Sequence, residues 1–321
     1  MKHTFPVTIM LLAIFLSSQL MGILILNEYI DARGSSEEGK TIINEKTYNI
    51  TGFTPPPVKS ESGSWVYVLF AVVVGTVLVL LLMKFKKRGL WKTWFAIGVG
   101  IALVMALAPF VRKVAALTGL EEYSFFFTFA IACALSIFKI LKPNVYIHNI
   151  TEIFVYGGLA ALLVPILNLI SVAVILIAVS IYDIWAVWKS KHMVKMAQFQ
   201  TESKMFAGFF VPYEKPVTTS LNENTEKTTK KSAILGGGDI AFPLLFSGVV
   251  FKLTASFLFP ILIAIITTLA LATLMIKGKS DTFYPAMPFI TAGCLFGFFV
   301  VWGLEGFSLE WLMEMIRFGT G

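Results

Sequence analysis

The sequence predicts an all-α polytopic membrane protein with about nine transmembrane helices. Composition is the first reason, because 57% of the 321 residues are hydrophobic, 14% are charged and the mean hydropathy is +0.80. No water-soluble core could bury so much apolar surface. The second reason is that apolar runs of roughly 20 residues, the length that crosses the hydrocarbon of a bilayer, recur along the chain. We therefore expect the protein to be embedded in a lipid bilayer.

Nine apolar runs are candidates for these spans. Only Asn168 and its neighbours, after Pro165, separate the fifth from the sixth, which predicts a tight helical hairpin. The first run could instead be a signal peptide, but it lacks an Ala-x-Ala-like cleavage site and has Ser17 and Ser18 near its middle, which favours a retained span. The runs cover residues 5–26, 65–83, 91–110, 124–141, 153–168, 171–188, 234–251, 256–276 and 284–304.

The spans divide the chain into four parts. Residues 1–188 contain six spans, 189–233 form a polar segment, 234–304 contain three spans, and 305–321 form a tail. In the tail, apolar residues alternate with charged ones at near-helical spacing, which predicts a short amphipathic helix at the membrane surface.

Positive charge orients the predicted bundle. Lys84, Lys87 and Lys92 belong to a basic cluster in the short loop after the second span, and lysines outnumber glutamates in segment 189–233. The positive-inside rule places both segments in the cytoplasm. Nine spans then put the N terminus in the cytoplasm and the C terminus outside. Orientation explains the net charge of +7 better than nucleic-acid binding does, so we expect no nucleic-acid partner.

Two aspartates, Asp183 and Asp239, lie inside predicted spans. A charge in such a place costs about 3 kcal/mol even on a mild insertion scale, so an intramembrane carboxylate indicates a function. Each aspartate is about five residues from the cytoplasmic end of its span, or on the order of 8 Å at the helical rise. Because the two spans are consecutive and antiparallel, equal depth allows the carboxylates to face each other.

Two carboxylates in contact share one proton and titrate as a coupled pair. The ionised member can take a proton from water while the protonated member donates a hydrogen bond to a peptide carbonyl, which is the chemistry of an aspartic protease. The residue types do not assign these two roles. Gly236, Gly237 and Gly238 precede Asp239 and weaken the start of its helix, which allows close backbone approach. Such glycines also occur in ordinary flexible loop ends.

Three motifs resemble those of the presenilin and signal peptide peptidase family of Gly-x-Gly-Asp intramembrane aspartyl proteases. Tyr182-Asp183 resembles the family's Tyr-Asp motif, and Gly236-Gly237-Gly238-Asp239 resembles Gly-x-Gly-Asp. Pro285-Ala286-Met287 resembles the Pro-Ala-Leu element at the start of the ninth span, with Met in place of Leu. The orientation matches presenilin, since signal peptide peptidases are inverted. The chain is shorter than eukaryotic presenilins and looks like an archaeal or bacterial presenilin homologue.

The resemblance implies an intramembrane aspartic endopeptidase of the cell membrane, with its active site near the cytoplasmic side. It would hydrolyse peptide bonds within or near transmembrane helices of substrate proteins or peptides, using water and no metal or other cofactor. Accessory subunits and oligomeric state stay open. The catalytic residues would be Asp183 and Asp239, with substrate binding or active-site support from Tyr182, Gly236, Gly237, Gly238, Pro285, Ala286 and Met287.

Cleavage of a helical substrate requires local unwinding, because the helix hides its carbonyls in its own hydrogen bonds. An unwound stretch could pair as a strand with an irregular segment beside Pro285 or Gly238.

Other functions stay open at this point. Buried aspartates beside a glycine-broken helix also occur in proton-coupled transporters and cation channels. Prepilin-type peptidases share Gly-x-Gly-Asp, but they follow it closely with Lys, whereas Ile240 and Ala241 follow here. An intramembrane zinc protease is disfavoured, because the histidines are predicted outside the hydrophobic segments and form no His-Glu-x-x-His pattern. Cys133 and Cys294 support no disulfide or metal framework.

Residues 205–212 form an apolar island in polar segment 189–233. Such an island should seek lipid or a groove, and an interfacial anchor is the simpler expectation. The equivalent presenilin loop contains an apolar stretch that the enzyme itself cleaves, so self-cleavage is the alternative.

Overall fold

The computed structural model describes residues 4–58, 60–85, 87–141, 144–189, 206–217, 227–278 and 284–319. Within these ranges, nine helical segments are long and apolar enough to cross a membrane, which confirms the predicted fold class. Three shorter helices are α2 (Ala32–Glu38), α3 (Glu45–Thr51) and α12 (Leu309–Arg317). The spanning helices are α1 (Phe5–Tyr29), α4 (Ser64–Lys84), α5 (Arg88–Leu117), α6 (Ser124–Leu141), α7 (Val145–Leu163), α8 (Leu169–Ile184), α9 (Gly237–Thr254), α10 (Leu258–Lys277) and α11 (Met287–Leu304).

Helices α7 and α9 are the most enclosed of the spans, and α4 is the least. Helix α7 packs tightly against α1 and α5 through small residues. A Cβ atom added at Gly158 would lie 1.8 Å from the carbonyl oxygen of Ala102, and one added at Gly157 would lie 3.3 Å from the Cα of Gly22. Glycine therefore permits these backbone contacts, as at many membrane helix interfaces.

The fifth span begins at Val145, well before its predicted start at residue 153. The sequence prediction excluded residues 145–152 because several of them are polar. In the structure the polar groups face protein rather than lipid: Asn149 contacts the backbone of Phe210 and Glu152 pairs with Lys139. His148, predicted to lie outside the hydrophobic segments, is therefore part of α7. His3 and His192 lie outside the described residues.

A β-hairpin forms within the segment that was predicted to be only a polar loop. Strand β1 (Gly208–Val217) pairs antiparallel with β2 (Lys227–Gly236), with Gly208 opposite Gly236. The seventh span consequently begins at Gly237, and residues 234–236, predicted as its first turn, finish β2. Residues 190–205 and 218–226 of the predicted loop lie outside the described ranges.

Residues 208–212 of the apolar island belong to β1, and alternate side chains of this part pack into the protein. Phe209 is fully buried and Val211 is nearly so, and the ring of Phe209 meets Tyr156 of α7 edge-on at 6.1 Å. The expectation of a simple interfacial anchor is therefore wrong for these side chains. Met205, the first residue of the island, lies outside the described ranges.

The first loop and the C-terminal tail meet at the end of the bundle opposite the hairpin. The amide of Gly319 donates to the carbonyl of Gly39 at 3.0 Å, and the side-chain amide of Asn168 donates to the carbonyl of Phe318 at 3.1 Å. Trp311 of α12 stacks on Phe298 of α11 at 5.9 Å. The tail is thus packed onto the bundle through both its backbone and its aromatic side chains.

Candidate active site

Asp183 lies in the last turn of α8, where only 3% of the residue is exposed. Its Oδ2 accepts a hydrogen bond from the backbone N–H of Met287 at 3.1 Å, and the backbone of Ala286 also hydrogen-bonds to it. Met287 is the first residue of α11, and Ala286 is its N-cap. The carboxylate therefore sits at a helix N-terminus, where unpaired N–H groups and the helix dipole stabilise negative charge.

The Pro-Ala-Met segment thus contacts one of the two aspartates directly. Pro285 and Met287 are buried. A second contact holds α8 and α11 together one turn away, between the hydroxyls of Ser180 and Thr291 at 2.7 Å. The sequence motif predicts that this segment lies near the site. The structure shows how it contributes, since its backbone amides hydrogen-bond to Asp183.

Asp239 is the third residue of α9, which packs against α8. Its carboxylate lies close to the residue before the helix. A Cβ atom added at Gly236 would lie 3.2 Å from Asp239 Oδ2. Pro243 has no N–H to donate to the carbonyl of Asp239, so the usual hydrogen bond of the first helical turn is missing. Gln19 of α1 braces this turn by donating to the carbonyl of Ile240 at 2.9 Å.

The three glycines before Asp239 have different surroundings. Gly237 continues the hairpin ladder by donating to the carbonyl of Ala207 at 2.9 Å, and a Cβ there would lie 2.8 Å from the hydroxyl oxygen of Tyr156. A Cβ at Gly238 would meet only Phe242, at an ordinary 3.4 Å. Close packing therefore requires glycine at position 237, whereas no steric contact of the described residues requires it at position 238.

A sequence model of the family described as signal-peptide peptidase, presenilin aspartyl protease matches residues 54–306. The chain belongs to this family. It is accordingly an intramembrane aspartyl protease, a hydrolase with substrates embedded in the bilayer. The alternative of a proton-coupled transporter or cation channel is not supported.

Solved structures agree with this family at the level of the fold. Two crystal structures of a presenilin family intramembrane aspartate protease, in space groups C222 and P2, superpose with TM-scores of 0.62 and 0.57. Their sequence identities are 14% and 17%; each alignment covers 92% of this chain, and 99% and 96% of the respective solved chains. No individually curated protein sequence matches the chain.

Tyr182 of the protease is turned partly away from its neighbour Asp183. The side chain is half-buried, its ring lies 6.3 Å from that of Trp185, and its hydroxyl hydrogen-bonds to Thr76 of α4. This bond connects α4, the least enclosed span, to the helix that carries Asp183.

Sequence reasoning missed a polar cluster on α7 that holds the hairpin. His148 Nε2 lies 2.7 Å from the carbonyl oxygen of Gly208. The side-chain amide of Asn149 donates to the carbonyl of Phe210 at 2.9 Å and accepts from its N–H at 3.1 Å. Polar residues at the edge of an apolar run were the available indication, because such residues in a membrane usually have protein partners.

These contacts show which edge of the hairpin is covered. Both backbone groups of Phe210 point away from β2, so alternate residues of β1, including Pro212 and Pro216, face the same outer edge. Proline has no N–H to offer a further strand. On β2 the outward N–H and C=O of Ile234, opposite Phe210, make no hydrogen bond within the described part of the chain. The outer edge of β1 is therefore covered by α7. The outer edge of β2 has backbone groups that could pair with another strand, and we call it the available edge.

Replacing Asn149 by Ala should loosen the hairpin and slow proteolysis. The change removes two hydrogen bonds to Phe210, so amide exchange at Phe210 should rise by about tenfold, and cleavage should slow by roughly tenfold as Asp239 loses its fixed backbone. Hydrogen-exchange mass spectrometry and a cleavage assay measure the two effects. Asn144→Ala is the matched control, because Asn144 caps α7 by accepting from Tyr146 N–H and its side chain makes no hydrogen bond to a strand within the described residues. Unchanged exchange at Phe210 in Asn149→Ala would contradict the anchoring role.

Proposed function

We propose that Asp183 and Asp239 are the catalytic pair of this protease. The observation that carries the proposal is the position of Asp183, a buried carboxylate held by the first amides of α11 on a helix that packs against α9. Asp239 occupies the first turn of α9, where the glycines and Pro243 keep the backbone open. Two carboxylates on packed helices, each at a helix N-terminus, fit a dyad that must hold negative charge within a membrane.

The chemistry follows from one shared proton. The ionised aspartate removes a proton from water, and the protonated one donates to the oxygen of the scissile carbonyl. The water oxygen bonds to the carbonyl carbon; collapse of the tetrahedral intermediate breaks the C–N bond, and the amine leaves with a proton. Met287 and Ala286 act through Asp183, since their N–H groups fix its carboxylate. No metal or other cofactor is needed in this scheme.

The substrate is a transmembrane protein or peptide whose helix unwinds at the cut site. We infer that the unwound stretch pairs with the available edge of β2, which runs directly into Gly237 and Asp239. This edge offers backbone groups in register with a strand. The outer edge of β1 cannot accept the strand, because Asn149 already bonds both backbone groups of Phe210 and Pro212 has no N–H to donate.

Disulfide cross-linking tests this strand pairing. Ser232 is exposed on β2 and can be changed to Cys in a chain whose own cysteines, Cys133 and Cys294, are replaced by Ser. Single cysteines are then scanned along a single-span reporter around its cut site. A paired strand predicts cross-links at every second reporter position, since side chains alternate between faces. Maxima every three to four positions would show a substrate still helical there and contradict the proposal.

The protease would lie in the cell membrane with the dyad near the cytoplasmic face. The basic cluster at residues 84–92 supports this orientation, as does the excess of lysines over glutamates in segment 189–233, which contains the hairpin.

The decisive experiment is cleavage of a single-span reporter by purified protein in liposomes. The parent chain is compared with Asp183→Asn and Asp239→Asn, and the products are mapped by mass spectrometry. Cuts within the span that disappear in both variants, with folding retained, would support the proposal. Cleavage that persists in either variant would overturn the assignment of the pair.

A further inference from the structure

A buried charge cluster connects α6 and α7 outside the two-aspartate site. Lys139 of α6 forms an ion pair with one oxygen of Glu152 of α7, and each side chain is only 2% exposed. The hydroxyl of Tyr156, one turn further along α7, donates to the other oxygen of Glu152. Both carboxylate oxygens are therefore used.

Such a cluster contributes little to the stability of a fold by itself. Desolvating two charges is unfavourable, and well-packed apolar residues often stabilise a fold equally well. A fully bonded polar network does fix the orientation of its members. The position of Tyr156 indicates what is being oriented.

Tyr156 packs directly beneath the glycine segment that leads into Asp239. Its hydroxyl oxygen occupies the space next to Gly237, where an added Cβ would lie 2.8 Å away. The ring meets Phe209 of β1 edge-on, so the tyrosine also contacts the strand that pairs with β2. Asp239 is close enough to interact electrostatically with Tyr156. One side chain thus supports the backbone two residues before the aspartate.

We propose that Lys139, Glu152 and Tyr156 are positioning residues for Asp239. Lys139 orients the carboxylate of Glu152, and this carboxylate orients the hydroxyl of Tyr156. The hydroxyl then determines the position of the Gly237 backbone. The position of the Gly237 backbone in turn determines where α9 begins and where the carboxylate of Asp239 lies. The inference rests on the catalytic role proposed for Asp239, and none of the three residues is placed in contact with substrate.

A purely structural role predicts a different outcome. If the cluster only holds α6 against α7, removing the Tyr156 hydroxyl lowers thermal stability and leaves the turnover of folded enzyme unchanged. If the cluster positions Asp239, turnover falls, because a displacement of about 1 Å at a catalytic group can cost about a hundredfold in rate.

Tyr156→Phe separates these outcomes, since it removes one oxygen and keeps the ring on Phe209. We expect kcat for the reporter to fall by about tenfold or more, with KM within about twofold. Tyr48→Phe is the matched control: its buried hydroxyl donates to the carbonyl of Ala161 on the same helix at 2.6 Å, away from the hairpin. This control is expected to lose some thermal stability and keep its kcat.

A second variant examines the contact itself. Gly237→Ala should strongly reduce cleavage, because its methyl group would collide with the Tyr156 hydroxyl. Adding Tyr156→Phe removes that oxygen, so the double variant should cleave faster than Gly237→Ala alone.

The results that would overturn the inference are specific. They are an unchanged kcat in Tyr156→Phe, a rise in KM alone, an equal fall of kcat in Tyr48→Phe, or a double variant no faster than Gly237→Ala. If cleavage requires Asp239 and one of these results is found, the positioning role fails and the proposed function stands. If cleavage survives Asp239→Asn, the catalytic assignment fails and the inference fails with it.

Discussion

Asp183→Asn is expected to abolish cleavage of a single-span reporter while leaving the fold intact. An asparagine keeps the size of the side chain, and its carbonyl oxygen can still accept from Met287 N–H, so the contact between α8 and α11 survives. An amide cannot take a proton from water or share one with Asp239. Loss of one member of a catalytic unit typically costs about 10³-fold or more in kcat.

Asp239→Asn should have an equally large effect, because the proposed mechanism needs both carboxylates as one unit, and the losses within such a unit are not additive. The double variant should therefore be no slower than either single variant. Asp31→Asn provides a control of the same chemistry, since Asp31 caps α2 by accepting from Gly34 N–H and asparagine caps a helix equally well. It should cleave at the parental rate. Measurable turnover in Asp183→Asn would contradict the proposed mechanism.

The parts of this protein that the sequence predicts are those carried by local composition. Apolar runs identify the spans because lipid requires about 20 apolar residues, and buried aspartates stand out because lipid penalises charge. Asp183 and the Pro285 segment were expected to belong to one site from their motifs. Their contact through backbone amides could not be predicted, since it depends on how α8 and α11 pack.

The hairpin shows what local reasoning misses. Strand β1 contains two prolines and β2 contains three lysines, and the hairpin is held by α7, which is distant in sequence. Alternation of buried Phe209 and Val211, and of Ala233 and Leu235, was the available indication. The early start of α7 was missed for the related reason that His148, Asn149 and Glu152 look too polar for a membrane until their partners are known.

The second large effect is expected at Lys252, near the far end of α9. Its side chain is completely buried, and Nζ donates to Glu61 at 2.8 Å, to the hydroxyl of Thr41 at 2.6 Å and to the carbonyl of Val164 at 3.2 Å. The ring of Phe318 lies 5.2 Å from the same nitrogen. One ammonium group therefore joins the first loop, the fifth span, the seventh span and the C-terminal tail.

Lys252→Met should destabilise the protein by about 3 kcal/mol, because removing one partner of a buried ion pair leaves the other charge uncompensated. The value lies at the lower end for such pairs, since the Glu61 side chain is 14% exposed and still accepts from Thr41. Thermal unfolding in detergent measures the loss as a lower midpoint. Lys113→Met, which removes an exposed pair with Glu28, should change the midpoint little.

Glu61→Gln combined with Lys252→Met distinguishes a lost pair from a lost side chain. If the cost comes from the uncompensated carboxylate, the double variant should recover much of the stability that Lys252→Met loses. A double variant as unstable as Lys252→Met would contradict this cause. Lys252 is thirteen residues from Asp239, or roughly 20 Å along the helix, so the kcat of folded enzyme should stay near the parental value. A fall in kcat at unchanged folded fraction would instead mean that the Lys252 end of α9 controls the position of Asp239. The C-terminal tail would then act on catalysis through this helix.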